Sequence, residues 1–508
     1  MQRQTTITAL LAAGADDATA LHAPGGKALS YKALRAHVDR TAAALNALGI
    51  GRGDRVAIVL PNGPEMASAF VAVASACASC PLNPAYRADE FEFYLSDLNA
   101  KALLVEKGST SPAVAVAHKL GVRVLELAPS GEGSGAFALA PTDGKPSTPT
   151  PAGGFAQADD VALILHTSGT TSRPKIVPLT QSNVCASAFN IAATLQLTPA
   201  DRELNIMPLF HIHGQMAGVL APLAAGSTIY CSPGFNALKF FAWMAECKPT
   251  WITAVPTMHQ TILARAGQNK DIIAANPLRF LRSSSSSIPP QVIAELEAVF
   301  NAPLIESYGM TEASHQMASN PLPPAVRKPG TVGKAAGPEV AVMDDAGNLL
   351  PPGATGEIVI RGPNVTRGYE NNPKANAEAF TNGWFRTGDQ GTMDADGYLA
   401  ITGRLKEIIN RGGEKISPRE VDEVLMDHPA VAQVVTFAIP HDKLGEDVGA
   451  VVVLKEGKTA TDRELRDFVG SRLADYKVPR KILFMDEIPK GATGKLQRIG
   501  LAAKLGLA

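Results

Sequence analysis

Short apolar runs alternate with helical patterns through most of the chain. Residues 56–60 and 102–105 are continuous apolar runs, which is typical of strands buried on both faces, and apolar positions recur at helical spacing over residues 31–48. The same alternation continues over residues 161–165, 251–255 and 291–300. Such alternation predicts α/β architecture with parallel sheets, arranged in two subdomains.

The remaining segments have other patterns. Gly, Pro, Ser and Thr dominate residues 129–154, so we expect a loop or linker there, whereas strand runs separated by turn residues predict a small β subdomain in 339–361. Further along, Ser417 with Glu420 and Thr461 with Glu464 have capping-box spacing. Apolar strand runs at 431–439 and 448–454 lie between them.

We therefore predict the fold class α/β. It comprises a large N-terminal domain of two α/β subdomains plus a small β subdomain, followed by a small α+β C-terminal domain.

The charge balance argues against polyanionic partners. The chain has 47 Lys and Arg against 48 Asp and Glu, so no long-range field attracts nucleic acid or an anionic membrane, and we expect neither as a partner. No apolar stretch reaches the roughly 18 residues that span a bilayer, and no secretory signal pattern is present. These observations predict a cytoplasmic protein.

The cysteines do not indicate a redox or metal site. Five cysteines are too few for a disulfide scaffold in a chain of 508 residues. Cys77 and Cys80 have C-x-x-C spacing, but no second pair or histidine cluster completes a zinc site. We predict that both pack in the core as small apolar side chains.

The sequence TSGTTSRPK at 167–175 directly follows the predicted strand 161–165. Small residues let backbone amides approach an anion, hydroxyls add donors and a lysine adds charge, so the segment suits a polyphosphate. The alternative is an exposed Ser/Thr turn, and the residue order is not that of a Walker A loop. The candidate phosphate-binding residues are Thr167, Ser168, Gly169, Thr170, Thr171 and Lys175.

Four further motifs follow in order: YGMTE (308–312), WFRTGD (384–389), GRLKE (403–407) and PKGATGK (489–495). With TSGTTSRPK they resemble the motifs of the adenylate-forming superfamily, which includes acyl-CoA synthetases, luciferases and peptide-synthetase adenylation domains. LHTSGTTSRPK, PLFHIHG and YGMTEASHQM are most similar to the oxalate–CoA ligase branch near the 4-coumarate–CoA ligases. One departure is Ile176, where the family usually has Gly; we expect either an extended residue or a differently shaped loop end.

The resemblance implies a two-step ligase reaction. A carboxylate attacks the α-phosphate of ATP with Mg²⁺, which gives acyl-adenylate and pyrophosphate, and the thiolate of coenzyme A then displaces AMP. ATP, Mg²⁺ and coenzyme A are the implied cofactors and substrates, with no tightly bound prosthetic group. Oxalate is the acid we expect, because a small diacid needs polar donors and little apolar volume.

The resemblance also assigns nucleotide and metal roles. Tyr308 offers an aromatic face for adenine, Asp389 and Arg404 hold the ribose, Thr311 reaches the α-phosphate, and Glu312 is the magnesium ligand. The alternatives are a core tyrosine, a turn aspartate and a surface arginine. The implied ATP site also contains Ser285, Glu306, Ser307 and Gly309.

Three histidines are candidates for contact with the acid. The resemblance matches His211 to a catalytic histidine beside the acyl carboxylate, and in a strand His211 and His213 would share one face. His213, His315 and Ser286 are candidates for binding a second anionic group. The alternative is that backbone carbonyls satisfy both His213 and His315. We expect the serine run 283–287 to be a structured loop that faces the nucleotide or the acid.

The resemblance implies a mobile C-terminal domain, with domains at 1–403 and 404–508 and a hinge near Lys406. Lys495 is the implied catalytic cation together with Lys175, although a surface lysine is the alternative. Gly412 and Gly413 either present backbone to coenzyme A or form a plain β-turn.

Other functions compatible with these motifs are ligation of another small, aryl or fatty acid, a luciferase-like oxygenase, a peptide-synthetase adenylation domain and a non-catalytic nucleotide sensor. We expect a monomer or homodimer.

Overall fold

A computed structural model describes residues 4–144, 146–167, 174–489 and 498–507. The chain divides into two compact units. The large unit contains the described residues of Met1–Thr167, Ile176–Val340 and Ile360–Ala379, and the small unit contains those of Ser168–Lys175, Ala341–Val359 and Phe380–Ala508. The predicted boundary between residues 403 and 404 stays a prediction.

The large unit is built from strands and helices that alternate along the chain. Its strands are β1 (Thr19–His22), β2 (Leu29–Ser30), β3 (Arg55–Val59), β4 (Ala78–Pro81), β5 (Ala102–Glu106), β6 (Arg123–Pro129), β7 (Phe137–Pro141), β8 (Val161–Thr167), β9 (Lys175–Thr180), β10 (Arg202–Asn205), β11 (Thr228–Cys231), β12 (Trp251–Ala254), β13 (Phe280–Ser283), β14 (Leu304–Met310), β15 (His315–Ser319) and β16 (Lys334–Ala335). Its helices are α1 (Ile7–Leu10), α2 (Tyr31–Ala47), α3 (Pro64–Ala74), α4 (Ala88–Asp97), α5 (Pro112–Lys119), α6 (Gln181–Thr194), α7 (Ile212–Gln215), α8 (Ala221–Ala224), α9 (Phe240–Cys247), α10 (Pro256–Ala266), α11 (Lys270–Ala275), α12 (Pro290–Phe300) and α13 (Pro373–Ala379). Short 3₁₀ turns occur at Leu11–Ala13 and Thr311–Ala313, and a π-helical turn at Met216–Leu220.

Two sheets organise this unit. The order β7-β6-β5-β3-β4-β8-β9 forms a seven-stranded sheet, and the order β16-β15-β14-β13-β12-β10-β11-β1-β2 forms a nine-stranded sheet. The central pairs, such as β3 with β5 and β12 with β13, are parallel. Helices α9, α10 and α12 cover one face of the nine-stranded sheet with a continuous apolar core. These sheets confirm the predicted pair of α/β subdomains.

The small unit contains two five-stranded sheets. Its elements are β17 (Glu339–Met343), β18 (Thr355–Arg361), β19 (Phe380–Thr381), β20 (Trp384–Met393), β21 (Leu399–Arg404), β22 (Ile409–Arg411), β23 (Glu414–Ile416), α14 (Pro418–Met426), β24 (Val431–His441), β25 (Gly445–Leu454), α15 (Asp462–Gly470), β26 (Lys481–Phe484) and α16 (Leu501–Lys504), with 3₁₀ turns at Leu405–Glu407 and Asp475–Lys477. Strands β17 to β21 form one sheet and β22 to β26 the other. The predicted fold class is confirmed, including the β subdomain and the α+β C-terminal part.

Two local predictions are wrong. The segment 129–154 is not entirely loop, because β7 lies within it and pairs with β6 in antiparallel register. Ser417 does precede helix α14, but its hydroxyl donates to the carbonyl of Thr402 and makes no cap, while Glu420 pairs with Lys477. The second predicted capping box, Thr461 with Glu464, is confirmed.

Both cysteines of the C-x-x-C pair are free thiols in the core. Cys77 and Cys80 are buried. Burial raises the pKa of the Cys80 thiol to about 12, so the thiolate needed for redox or metal chemistry is disfavoured. The prediction of core packing is confirmed.

Candidate active site

A fully buried arginine organises a polar cluster in the large unit. Arg282 has no exposed surface. Its Nη1 lies 3.3 Å from His213 Nε2 and 3.2 Å from Thr253 Oγ1. Its Nη2 lies 3.2 Å from His315 Nε2 and donates to Gln316 Oε1 at 3.3 Å. We call these five residues together with Ser285 the Arg282 cluster.

Two residues of the Arg282 cluster lie side by side on neighbouring strands. Arg282 on β13 and Thr253 on β12 are direct partners in parallel register, so their side chains leave the same face of the sheet. His315 begins β15, and its ring stacks on that of His213 with centroids 4.7 Å apart. A pair of imidazoles is therefore placed against one guanidinium.

His213 lies on a helix, not on a strand. The expectation that His211 and His213 share a strand face is wrong, because α7 starts at Ile212. His211 precedes this helix with extended backbone, and its Nδ1 accepts the His213 backbone N–H at 3.2 Å. His211 is partly exposed, whereas His213 is fully buried. The two rings consequently have different environments.

Hydrogen-bond chemistry assigns the proton on His213. Nε2 of His213 lies 2.7 Å from Thr253 Oγ1 and 3.3 Å from Arg282 Nη1. A guanidinium only donates, so Nε2 is the acceptor, the Thr253 hydroxyl donates to it, and the ring proton of a neutral imidazole is on Nδ1. Nδ1 lies 3.0 Å from Ser285 Oγ, which it can therefore use as an acceptor. This arrangement leaves the Ser285 hydroxyl hydrogen to be donated to a further acceptor. The alternative that backbone carbonyls satisfy His213 is wrong.

Burial controls the charge of the cluster. Desolvation lowers the pKa of Arg282 to about 9, and the negative field of Glu203 opposes this shift. His259 donates from Nε2 to the Arg282 carbonyl at 3.0 Å, and burial lowers its pKa to about 4. His259 is therefore a neutral residue that holds the backbone of Arg282.

The backbone near the cluster is held in unusual conformations. Ser285, Ser314 and His315 have positive φ angles of 73°, 48° and 89°. Such angles in residues with side chains cost about 1–3 kcal/mol each and are typical of functional sites. The Ser314 hydroxyl donates to the Asn364 carbonyl at 2.9 Å, which helps to hold this turn.

The YGMTE motif adjoins the cluster through a hairpin. Strands β14 and β15 are antiparallel, with Tyr308 opposite Ala318 and Met310 opposite His315. A Cβ on Gly309 would lie 2.0 Å from the His315 carbonyl oxygen, so only glycine permits this approach. The predicted nucleotide motif and His315 are therefore parts of one two-stranded ribbon.

Glu312 is buried within a 3₁₀ turn of the large unit. The Tyr369 hydroxyl donates to its Oε1 at 2.9 Å, and burial followed by the Glu312 charge raises the pKa of Tyr369. No group of three or more metal-ligating side chains occurs in the described ranges. One carboxylate fits Mg²⁺ in a nucleotide site, where phosphates and water supply most ligands.

The other ATP-site candidates of the large unit lie along β13 and β14. Ser284 donates to the Ser307 carbonyl at 3.1 Å, which joins the serine run to β14. Glu306 Oε2 accepts the Gly330 N–H at 3.3 Å, and Ser307 is buried. The serine run is a structured loop, as predicted, but Ser286 in it is exposed.

The structure describes only the two ends of the predicted phosphate-binding segment 167–175. Thr167 is the last residue of β8, and Lys175 is the first residue of β9. Ile176 is a buried residue of β9, so the extended alternative for this position is confirmed. Four candidates lie outside the described residues: Ser168, Gly169, Thr170 and Thr171.

The small unit carries the remaining candidates. Arg404 donates from Nε to Asp389 Oδ1 at 3.0 Å, and the two residues are direct partners on β21 and β20. Lys406 lies in the 3₁₀ turn Leu405–Glu407. Gly412 and Gly413, with φ of 60° and 100°, form the turn between β22 and β23. Lys495 lies outside the described residues.

Sequence patterns did not predict Arg282, Thr253, Gln316 or Tyr369. One signal was available for Arg282, which is the only charged residue in the strand FLRS and directly precedes the serine run. A charged side chain in a strand buried at every position indicates a paired or functional group. Thr253, Gln316 and Tyr369 carry no such signal.

Comparison with known proteins identifies the family. Residues 10–370 match the family model of the AMP-binding enzyme, and residues 420–495 match that of the AMP-binding enzyme C-terminal domain. The chain belongs to the AMP-binding enzyme family. The predicted membership of the adenylate-forming superfamily is thus confirmed. No helix in the described part of the chain has the length and apolarity to cross a bilayer.

Individual members of this family match over nearly the whole chain. The oxalate–CoA ligase of Arabidopsis thaliana is 46% identical over 488 residues, which cover 95% of this chain and 94% of that protein. The oxalate–CoA ligase of Saccharomyces cerevisiae is 45% identical, with 88% and 86% covered. The crystal structure of ATP-bound MatB from Rhodopseudomonas palustris superposes with a TM-score of 0.87 at 30% identity, with 98% of both chains covered.

Proposed function

We propose that this protein is an ATP-dependent acid–CoA ligase whose acid is oxalate. The observation that carries the proposal is the Arg282 cluster, in which a fully buried cation lies within hydrogen-bond distance of two imidazole rings. A small dianion gains from such a site, whereas a fatty or aryl acid would need an apolar wall. Similarity to oxalate–CoA ligases over most of the chain supports the same substrate.

In this proposal the acid lies with one carboxylate towards the cluster. The Ser285 hydroxyl, oriented by His213 Nδ1, donates to that carboxylate, and Arg282 compensates its charge from behind the histidine pair. The other carboxylate is the nucleophile and lies near His211. Because Arg282 and the imidazoles are held by packing and hydrogen bonds, little reorganisation is needed when the substrate arrives.

The first step joins acid and nucleotide. A carboxylate oxygen forms a bond to the α-phosphorus of ATP, the bond to the bridging oxygen breaks, and pyrophosphate leaves. Lys175, Lys495 and Thr311 stabilise the negative charge that develops on the phosphates. Glu312 would hold Mg²⁺, which supplies charge neutralisation of the phosphates. Tyr308 contacts adenine, and Asp389 with Arg404 binds the ribose.

The second step uses coenzyme A. Its thiolate sulfur forms a bond to the acyl carbon, the bond between that carbon and the phosphate oxygen breaks, and AMP leaves. Gly412 and Gly413 present backbone to the pantetheine, and a hinge at Lys406 moves residues 404–508 so that Lys495 withdraws between the steps. A cytoplasmic location and a monomeric or dimeric state stay predictions of the sequence.

The test is a panel of acids in an assay of CoA-dependent AMP release. We expect oxalate to give the highest kcat/KM, followed by malonate, with acetate, a fatty acid and an aryl acid well below. Preference for a fatty or aryl acid would contradict oxalate specificity but keep the ligase chemistry. Formation of acyl-adenylate without any thioester would contradict the ligase chemistry itself.

A further inference from the structure

Residues 206–211 connect β10 to helix α7 and contain no helix or strand. We call this connection the histidine loop, since His211 is its last residue. Residues 206, 207 and 209 are buried, so the polar groups of their backbone need partners within the protein. Side-chain amides supply several of these partners. Asn205 Oδ1 accepts the Met207 N–H at 2.9 Å, and Gln215 Nε2 donates to the Leu209 carbonyl at 2.9 Å.

A third amide comes from a different part of the large unit. Asn62 follows β3 of the seven-stranded sheet, whereas the histidine loop follows β10 of the nine-stranded sheet. Asn62 Nδ2 donates to the Met207 carbonyl at 2.8 Å, and its Oδ1 accepts the Leu209 N–H at 2.8 Å. One side chain therefore holds the peptide groups on both sides of Pro208, whose own φ angle is fixed by its ring.

The segment that Asn62 holds leads directly to His211. The His211 N–H donates to the Pro208 carbonyl at 3.3 Å, and the Gln215 N–H donates to the His211 carbonyl at 3.2 Å. A Cβ on Gly214 would lie 2.3 Å from the Pro208 carbonyl oxygen, so α7 packs directly on the loop. A displacement of Pro208 would therefore move the backbone of His211.

Hydrogen bonding also assigns the proton on the His211 ring. Its Nδ1 accepts the backbone N–H of His213, so a neutral His211 ring carries its proton on Nε2. The Nε2–H group is a donor, which is what a carboxylate oxygen accepts from. Such a donor is most effective when it is held in place before the substrate binds. The position of this donor depends on the backbone that Asn62 holds.

We propose that Asn62 is a positioning residue for His211, which it holds through the backbone of residues 207–209. This inference rests on the proposed function, in which His211 lies near the reacting carboxylate. Every acid presents that carboxylate, whatever group it carries at its other end. Loss of Asn62 should therefore slow the adenylation of oxalate and of a monocarboxylate by the same factor. Displacement of His213, the proposed neighbour of the second carboxylate, would instead affect oxalate more.

The kinetic test is a double-mutant cycle in ATP–pyrophosphate exchange, with oxalate and with the best monocarboxylate of the acid panel. We expect Asn62→Ala to lower kcat about 10-fold to 100-fold with either acid, because small displacements of a positioned group have effects of this size. In a His211→Ala background the same change should cost less than about twofold, since the effects of coupled residues are not additive. The control is Asn276→Ala, which removes a buried asparagine that donates to a backbone carbonyl and should leave kcat unchanged.

Two kinetic outcomes would overturn the inference. An equal loss from Asn62→Ala in the wild-type and His211→Ala backgrounds would show that Asn62 acts independently of His211. A loss confined to oxalate would show that Asn62 acts through His213 instead. If another acid is preferred to oxalate, oxalate specificity fails, and the cycle with the preferred acid decides on Asn62.

A measurement without turnover separates this inference from the proposed function. The histidines are isotope-labelled at Cε1 for NMR, and the His211 signal is identified by its loss in His211→Ala. We expect this signal to shift or broaden in Asn62→Ala and to stay in place in Asn276→Ala. A purely stabilising role of Asn62 would leave the His211 signal unchanged, and that result overturns the inference.

The same spectra decide the remaining cases. If no acid is activated, ligase chemistry fails, and the NMR comparison alone decides whether Asn62 positions His211. If Asn62→Ala does not fold, Asn62→Asp replaces it in both tests with the same expected results. That variant keeps an acceptor for the Leu209 N–H and removes only the donor to the Met207 carbonyl.

Discussion

The imidazole rings of His213 and His315 stack at 4.7 Å with an angle of 21° between their planes, and Arg282 reaches Nε2 of both rings. The two histidines come from different elements, α7 and β15. One guanidinium thus joins two segments that are about a hundred residues apart in the chain and sets the orientation of both rings.

Loss of the Arg282 charge should reduce oxalate use. We expect Arg282→Met to lower kcat/KM for oxalate by about 100-fold or more, equivalent to about 3 kcal/mol, because the substrate charge is then uncompensated. Arg282→Lys should restore little of the lost kcat/KM, since an ammonium group lacks the planar fork of donors that contacts both histidine rings. The control is Arg463→Met, which changes a largely exposed arginine. Equal losses with acetate and oxalate would contradict a role in diacid selectivity.

The histidine pair should distinguish a diacid from a monoacid. Replacement of His213 or His315 by Phe keeps a stacked ring but removes the nitrogen that faces Arg282. We expect kcat/KM for oxalate to fall at least about tenfold more than that for a longer monocarboxylate, because a lost buried hydrogen bond to a charged group costs about 1.5–3 kcal/mol. Parallel steady-state measurements with both acids check this. Similar losses for both acids would show that the rings act only in packing.

Gly309 should not tolerate a methyl group. In Gly309→Ala the new Cβ would overlap the His315 carbonyl oxygen, and we expect a loss of about 1–3 kcal/mol in the free energy of unfolding together with weaker oxalate use. Urea unfolding followed by tryptophan fluorescence measures the first effect. Gly267→Ala is the matched control, since nothing lies within 4 Å of its Cβ position. Equal stability of the two variants would show that the hairpin can open.

His37 should make the protein sensitive to mild acid. Burial, with help from Arg40, lowers the pKa of His37 to about 4, and neither ring nitrogen has a hydrogen-bond partner in the described part of the chain. The unfolded chain takes up this proton near pH 6.5, so stability present above that pH is lost as the pH falls towards 4.

We expect His37→Phe to remove about 2 kcal/mol of the stability loss between pH 7 and pH 5. The measurement is the free energy of urea unfolding at both pH values. The control is His118→Phe, at an exposed position, which should lose as much free energy of unfolding between pH 7 and pH 5 as the wild type. An unchanged pH dependence in His37→Phe would place the acid sensitivity elsewhere.

Lys495 should be needed for only one half-reaction. We expect Lys495→Ala to lower ATP–pyrophosphate exchange on the order of 100-fold, because a cation at the developing charge is lost, with little effect on thioester formation from supplied acyl-adenylate. Both half-reactions are assayed separately with the same preparation. Equal losses in both would contradict withdrawal of Lys495 between the steps.

Patterns within a single element predicted the fold well. The continuous apolar strands at 56–60 and 102–105 correspond to β3 and β5, and the helical spacing of 31–48 corresponds to α2, since these signals arise from burial of the element itself. Motif order was sufficient to predict the family. The sequence also indicated His213 and His315 as candidates for binding the acid, which stays a prediction. The structure stacks their two rings and places Ser285 beside His213.

Features that depend on a distant partner were not predictable. Ser417 has the spacing of a cap, but the carbonyl of Thr402 competes for its hydroxyl, and no local pattern reveals this competitor. Strand β7 is stabilised by its pairing with β6, although the sequence around it is rich in Gly and Pro. The placement of Arg282 next to Thr253 follows from strand register across the sheet, and the periodicity of a single segment does not contain that register.

The hairpin of β14 and β15 has a consequence for protein engineering. Because Met310 is opposite His315 and Gly309 touches its carbonyl, any change that slides one strand past the other displaces His315 from Arg282 and the YGMTE segment by the same step. The hairpin therefore fixes the spacing between His315 and the YGMTE segment, which are the proposed contacts of the acid and of the nucleotide. New acid selectivity is better sought on α7 or in the serine loop, where substitutions leave the register of this hairpin unchanged.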